Sequence, residues 1–554
     1  MWLLLIAVPL LPLLAAAMIV LLRMQPQPAA RLAVASSALV LVAACVTLIV
    51  AATSGRLDLL LTGDTGRAII GITADRVGAV LIVLGAFVGT IVHSFASRSL
   101  LGDPRARRFH LGALVLMSAT SLVALSATAS GVAAAWVATS ITLVVLLGHK
   151  APWRPAVAAQ RRTARSLAIG DLALVAAALI TIVTVGDIDM RDVERAATGL
   201  DAERFMSLNA LTIVAVLLVV AGVARSALVP LHRWLPSTLA APTPVSALLH
   251  AGVVNGAGVL LIRFASIYGS STLAMTLALI LGLATACYAT AVMLVRTDVK
   301  GALVWSTSGQ MGFMVLQLAV GAFAAALFHI VGHAMYKAAL FLGAGGAITS
   351  HHRQTLREHP GRAGSSALAG VTMGVFAPLA AFVVAVQLIN PDLSDAALLL
   401  VVVFGALSAG RAATGWMRAA PFRTAITVAL SLGGVVAMAF SYVGGLALFK
   451  GFVGGAMPDV VPGAIGPIAL VTVLSAIAAA ALFVVGLGGV RGDALRGAIF
   501  ARLVSTGATQ LSRTTAREEA TVAGLPGALF DAGDNHPPPA LVHSSELVSM
   551  GDPK

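Results

Sequence analysis

About fifteen apolar runs, each roughly 18 to 25 residues long, fill most of this sequence, separated by short polar or charged stretches. In hydrocarbon every backbone amide and carbonyl must find a partner inside the protein, so only helices and closed barrels can span it. The runs lack the alternation of barrel strands. The chain is therefore read as an all-α polytopic membrane protein with about 14–15 transmembrane helices. Composition agrees: 59% hydrophobic and 11% charged residues with a mean hydropathy of +0.96 exclude a string of soluble domains in 554 residues. The runs lie near 2–22, 32–53, 76–97, 109–127, 131–148, 167–186, 207–229, 243–265, 271–295, 302–322, 324–347, 366–389, 396–417, 424–447 and 464–489.

The excess of 36 Lys and Arg over 23 Asp and Glu reads as a topology signal rather than a nucleic-acid footprint, because the charges sit in short loops. Arg98, Arg105, Arg107 and Arg108 in the third loop, and Lys150, Arg154, Arg161, Arg162 and Arg165 in the fifth, belong on the cytoplasmic side. The sixth loop, with Asp187, Asp189, Asp192, Glu194, Asp201 and Glu203, and the twelfth, with Asp392 and Asp395, belong outside. This parity predicts a multi-pass protein of the cell inner (cytoplasmic) membrane with an external N-terminus. It also puts residues 491–554, rich in Ser, Thr, Pro and Gly, in a disordered cytoplasmic tail. The first run has no basic segment before it and reads as a retained span rather than a cleaved signal. Cys45 and Cys287 are isolated within apolar runs and read as small packing residues.

An ionisable side chain within a span costs about 2.5–3.5 kcal/mol on insertion scales, so each needs a partner, a water-filled cavity or a role. The candidates are Asp171, Arg225, His250, Arg263, Lys300, His329, His333 and Lys337. Asp171 is the carboxylate well inside an apolar run, and with Arg225 it forms the opposite charges of the adjacent sixth and seventh spans. His329, His333 and Lys337, spaced i, i+4 and i+8, share one helix face over about 12 Å. Histidine titrates near neutrality and a desolvated lysine can approach it, so such a face can relay protons through water. A histidine pair bonded to neighbouring helices, and a metal site, are the alternatives; HxxxH here lacks the Glu of HExxH. Pro230, Pro236, Pro242 and Pro244 preclude an unbroken helix after the seventh run, and broken membrane helices are where ion sites are built.

The stretches Ala224-Arg225-Ser226-Ala227-Leu228-Val229-Pro230-Leu231-His232-Arg233-Trp234-Leu235-Pro236 and Pro242-Thr243-Pro244-Val245-Ser246-Ala247-Leu248-Leu249-His250 resemble the antiporter-like subunits of complex I and the Mrp antiporters. The likeness continues through Lys300 to Gly312, which includes Ser306 and Gln310, and through His329 to Leu342. It implies two inverted five-helix repeats, each with a broken helix. The corresponding organisation is N-terminal helices in 1–108, a first repeat in 109–265, a second in 266–420, C-terminal helices in 421–490 and a tail in 491–554.

Departures from the family pattern are specific. Family pumps carry a glutamate after the Trp of the fifth span, whereas Trp136 is followed by Val137; the broken-helix lysine is Arg225; and Gln387 stands for the exit lysine of the twelfth span, which keeps Pro378. Arginine stays charged under practically all conditions and cannot itself release a proton.

Within the superfamily the residues His232 to Pro236 and His250 to Asn255 most resemble the DabB family, the membrane subunits of two-part inorganic carbon accumulation complexes. That resemblance implies a soluble, zinc-containing DabA-like partner that hydrates carbon dioxide, with no cofactor or metal in this chain and no catalysis by this chain alone. The expected function is proton conduction through Asp171, Arg225, His250, Lys300, Ser306, Gln310, His329, His333 and Lys337, coupled to CO2/bicarbonate accumulation by the partner. The alternative is a proton-translocating subunit of a complex I-type or Mrp-type assembly.

Overall fold

The computed structural model describes residues 2–62, 68–150, 153–185, 208–296, 298–344, 372–391, 395–419, 425–457 and 501–503. The expected run at 464–489, the acidic sixth loop and the 504–554 part of the tail lie outside the described residues.

Each of the other fourteen expected runs has its helix. These are α1 (Trp2–Leu21), α2 (Pro26–Ser54), α3 (Arg76–Ser99), α4 (Ala106–Leu125), α5 (Ala129–Leu147), α6 (Arg154–Val185) and α7 (Leu208–Arg225). A discontinuous span follows, α8 (Thr243–Ala251) and α9 (Gly256–Arg263), and then a short α10 (Ala265–Ser270). The remainder are α11 (Thr272–Leu294), α12 (Val299–Ala319), α13 (Phe323–Gly343), α14 (Ala377–Ile389), α15 (Asp395–Ala419) and α16 (Ala425–Val453). A π-helical turn, Thr372–Phe376, precedes α14.

Local chemistry sets the starts. Asp75 accepts from the Gly78 amide at 2.6 Å to cap α3, Thr128 caps α5 through Gly131, and Asp298 accepts from the Gly301 amide at 2.6 Å to cap α12. α1 carries Pro9 and Pro12 inside it and is tied to its neighbours through its carbonyls: Ser118 donates to Pro9 at 2.7 Å and Ser36 to Leu11 at 3.2 Å.

Two features depart from the helix-only expectation. An antiparallel hairpin, β1 (Leu57–Thr62) with β2 (Ala68–Ala74), joins α2 to α3. Its Gly71 carbonyl accepts from the Ala127 amide at 2.9 Å, and Ile72 bridges to Ser126 at the turn between α4 and α5. The second departure concerns the break. The proline-rich segment does end α7 at Arg225 and runs as short turns to Ala241, as its prolines require. The following span is interrupted as well, at Gly252, where α8 stops and the turn Val253–Asn255 leads into α9.

That discontinuous span lies at the centre of the molecule: 89% of the Thr243–Arg263 window is buried, against 33% for Thr272–Leu294. The outer helices present apolar side chains such as Leu172, Val183, Ile280, Leu388 and Leu448 outward, a surface suited to lipid rather than water. Cys45 and Cys287 lie exposed on this surface, so the expectation that they pack inside is corrected.

A candidate proton path through the discontinuous span

The last residue of α7, Arg225, is 2% exposed and held on three sides. It donates to the Trp136 carbonyl at 2.9 Å, to Ser140 Oγ at 2.6 Å and to Asp171 Oδ1 at 3.2 Å, and its guanidinium lies 4.0 Å from the centre of the Trp136 ring. Ser140 in turn donates to Asp171 Oδ1 at 2.8 Å. All three hydrogen bonds leave from one nitrogen, Nη2, while the flat guanidinium lies over the Trp136 ring, so ring face, carbonyl, hydroxyl and carboxylate are met at once. Asp171 from α6 thus supplies the negative charge that Val137 cannot. Ser140, one helical turn beyond Trp136, was not foreseen as a site residue; its position on the tryptophan face of α5 is the signal that could have found it.

Gly256 makes this packing possible. A Cβ there would run into the Arg225 side chain and meet Trp136 Cη2 at 3.0 Å. Gly256→Ala is expected to cost about 1–3 kcal/mol by overpacking and to displace the arginine from its ring, measurable as a lower unfolding midpoint with altered Trp fluorescence. An unchanged midpoint would show that the cage is loose.

A second cluster surrounds the interruption. Asn255, 1% exposed, faces His333 with Oδ1 and Nδ1 3.0 Å apart, while its amide nitrogen donates to the Ala251 carbonyl at 2.8 Å. One turn along α13, Lys337 is 1% exposed and donates to Ser306 Oγ and, at 3.2 Å, to the Leu303 carbonyl. His329 Nδ1 sits 3.0 Å from Gln317 Oε1. The predicted stack of His329, His333 and Lys337 is therefore present, but each member is fixed by a different partner from α12 or the Val253–Asn255 turn, and the two histidine rings are 6.0 Å apart. Among the described residues no three His, Cys, Asp or Glu side chains converge as metal ligands.

Two expected members, and the residue that stands for the exit lysine, occupy other settings. His250 stacks on Phe341, ring centres 4.2 Å apart at 11°, and makes no hydrogen bond to His333 or Lys337. Lys300 clasps the Leu239 and Ala241 carbonyls at 2.9 Å each, fastening the proline-rich segment to the start of α12. Gln387 is exposed on α14, on the outward face rather than at an interior exit.

Several buried polar atoms here have no protein partner: His250 Nδ1, His333 Nε2, Gln310 Oε1 and Gln317 Nε2. Leaving such an atom dry costs about 1–3 kcal/mol, so the arrangement favours hydration along this line. A cavity of about 110 Å³, walled by Leu84, Gly89, Met117, Trp136, Arg225 and Asn255, lies against both Arg225 and Asn255.

Residues 132–385 match the family model described as NADH:quinone oxidoreductase/Mrp antiporter, transmembrane. Over that segment the chain is similar to the membrane subunits of the complex I/Mrp antiporter superfamily. Among relatives of this antiporter-like chain, the probable inorganic carbon transporter subunit DabB1 of Halothiobacillus neapolitanus is 36% identical over 275 residues, covering 50% of this chain and 49% of that protein. The probable inorganic carbon transporter subunit DabB of Bacillus subtilis is 32% identical, covering 51% and 55%. The chloroplastic NAD(P)H-quinone oxidoreductase subunit 5 of Zygnema circumcarinatum is 34% identical, covering 50% and 40%. The chain spans about half the length of the curated relatives it matches. Two solved structures share the antiporter-like fold, each with a TM-score of 0.55: the Mrp complex of Dietzia sp. DQ12-45-1b, at 22% identity over 85% of this chain and 49% of that one, and the archaeal membrane-bound sulfane sulfur reductase, at 18% identity over 91% and 97%.

Proposed function

We propose that this antiporter-like membrane subunit conducts protons and couples the proton gradient to inorganic carbon accumulation by a soluble, zinc-containing DabA-like partner. The observation that carries the proton path is the succession from the charge-compensated Arg225–Asp171 pair, across a cavity lined by both Arg225 and Asn255, to the Asn255–His333 contact. In this reading Arg225 is a fixed positive gate balanced by Asp171. Protons pass from the broken segment by His250 toward His333, His329 and Lys337, with Ser306 and Gln310 ordering water. Lys300 holds the entrance together. The N-terminus faces outward and the tail lies in the cytoplasm of a cell bounded by this inner membrane.

The carbon reading draws on the similarity to the DabB subunits. The test is growth of cells lacking carbonic anhydrase in ambient air: this protein and its partner together restore it, and collapsing the proton gradient abolishes the rescue. Rescue that persists without the gradient sinks the coupling. Similarity to quinone oxidoreductase subunits supports a redox-complex setting as the second reading. Co-purification separates them, since a zinc-bearing soluble partner supports the first and sister antiporter-like subunits the second.

A further inference from the structure

His93 of α3 and His110 of α4 are both fully buried, and they lie apart from the path on α8, α12 and α13. Their Nδ1 atoms are 3.0 Å apart, and their rings lie end to end, centres 5.3 Å apart with planes within 17° of parallel. Two nitrogens at that distance share one hydrogen: one Nδ1–H donates and the other Nδ1 accepts. In the neutral pair the accepting ring must then carry its hydrogen on Nε2, while the donating ring has a bare lone pair on Nε2. Both Nε2 atoms are buried without a protein partner.

We propose that His93 and His110 form a proton-transfer site, a two-imidazole bridge that takes up one proton and passes it between α3 and α4. An incoming proton bonds to the bare Nε2 of the donating ring, giving an imidazolium whose Nδ1–H···Nδ1 bond is charge-assisted and stronger. The bridging hydrogen then crosses to the other Nδ1, so the positive charge moves to the second ring. Release of that ring's Nε2 hydrogen completes the transfer, with one proton in, one out and each ring's tautomer inverted. Rotation of the rings or back-transfer restores the starting pair.

The surroundings fit a transfer element better than a simple packing pair. Phe109 meets both rings edge-on, at 6.3 Å from His93 and 5.3 Å from His110, and meets His149 at 6.4 Å on its other side. His149 Nε2 lies 3.1 Å from Asp103, in the loop between α3 and α4, and the His149 carbonyl accepts from Arg105 at 2.7 Å. Burial pushes the Asp103 carboxyl up, but the Arg105 amide, the His149 ring and the Arg105 charge outweigh it and hold the group below the usual carboxylate range. Asp103 therefore stays ionised at neutral pH, 3.1 Å from the His149 ring. Among the described residues, the titratable and charged groups facing this pair are each other and, beyond Phe109, His149, Asp103 and Arg105. This inference does not depend on the proposed carbon function.

The test is nitrogen-15 NMR of the full chain, histidine-labelled, in lipid nanodiscs, with proton uptake measured from alkaline to mildly acidic pH. The expected result is a nitrogen–nitrogen coupling across the Nδ1–H···Nδ1 bond and one proton taken up by the pair. His93→Gln and His110→Gln, which retain a side-chain hydrogen-bonding group, should each lose that proton, and the double variant should lose no more than either single one. A missing coupling in the folded wild-type chain overturns the proposal. So does uptake that is unchanged in all variants, or that falls by twice as much in the double.

Discussion

Asp171→Asn is expected to destabilise the protein by about 3–5 kcal/mol, because it leaves the Arg225 guanidinium buried with its counter-charge removed. The remaining contacts, the Trp136 carbonyl, Ser140 Oγ and the Trp136 ring, orient the arginine but carry no full negative charge. Thermal inactivation of the chain in lipid nanodiscs measures the effect. Replacing both members by apolar side chains, Asp171→Leu with Arg225→Met, should restore much of the stability, since a buried ion pair contributes little net relative to well-packed apolar groups. The double variant should nevertheless lack proton-coupled activity. An Asp171→Asn protein as stable and active as the wild type would remove the gate from the mechanism.

Lys337→Met should do the opposite: leave stability nearly unchanged and reduce proton-coupled activity on the order of 100-fold, the scale on which a positioned proton donor acts. Methionine fills the lysine stem's volume, and Ser306 keeps its bond to the Leu303 carbonyl at 2.8 Å when the ammonium is gone. Lys337→Arg adds a control that separates charge from proton release. Arginine keeps the positive charge but does not give up its proton, so it should be as inactive as methionine if release matters and active if only the field of the cation matters. Proton efflux from acid-loaded vesicles, normalised to folded protein, reads both variants; activity above half of wild type in Lys337→Met would take Lys337 out of the path.

The spans were legible because hydrocarbon forces one answer on an apolar run of helical length, and fourteen runs became helices close to their expected bounds. The His329, His333 and Lys337 face was legible from spacing on one helix. Ser306 was legible too, but the partners Asn255 and Gln317 were not, since they come from other segments and only folding brings them within 3.0 Å of it. The same reason hid His93 and His110: each is a lone histidine in an apolar run, and only the packing of α3 on α4 brings their rings together. The hairpin at 57–74 was missed because its strands are short and lie between two long helices, where they read as a loop. Gly252 gave no warning, because a single glycine in a membrane helix is ordinary.

The hairpin and its neighbours set a limit on how this protein can be divided. The family match begins at Val132, yet the turn just before it is tied in from both directions, by Gly71 and Ile72 of the hairpin and by Arg263, which donates to the Ser126 carbonyl. A fragment starting at Val132 would strip the acceptor from a guanidinium at the end of α9 and unseat the discontinuous span it closes. The matched segment and the packed unit are therefore not the same length, and a shortened version of this chain that keeps this packing must reach back to at least Leu57.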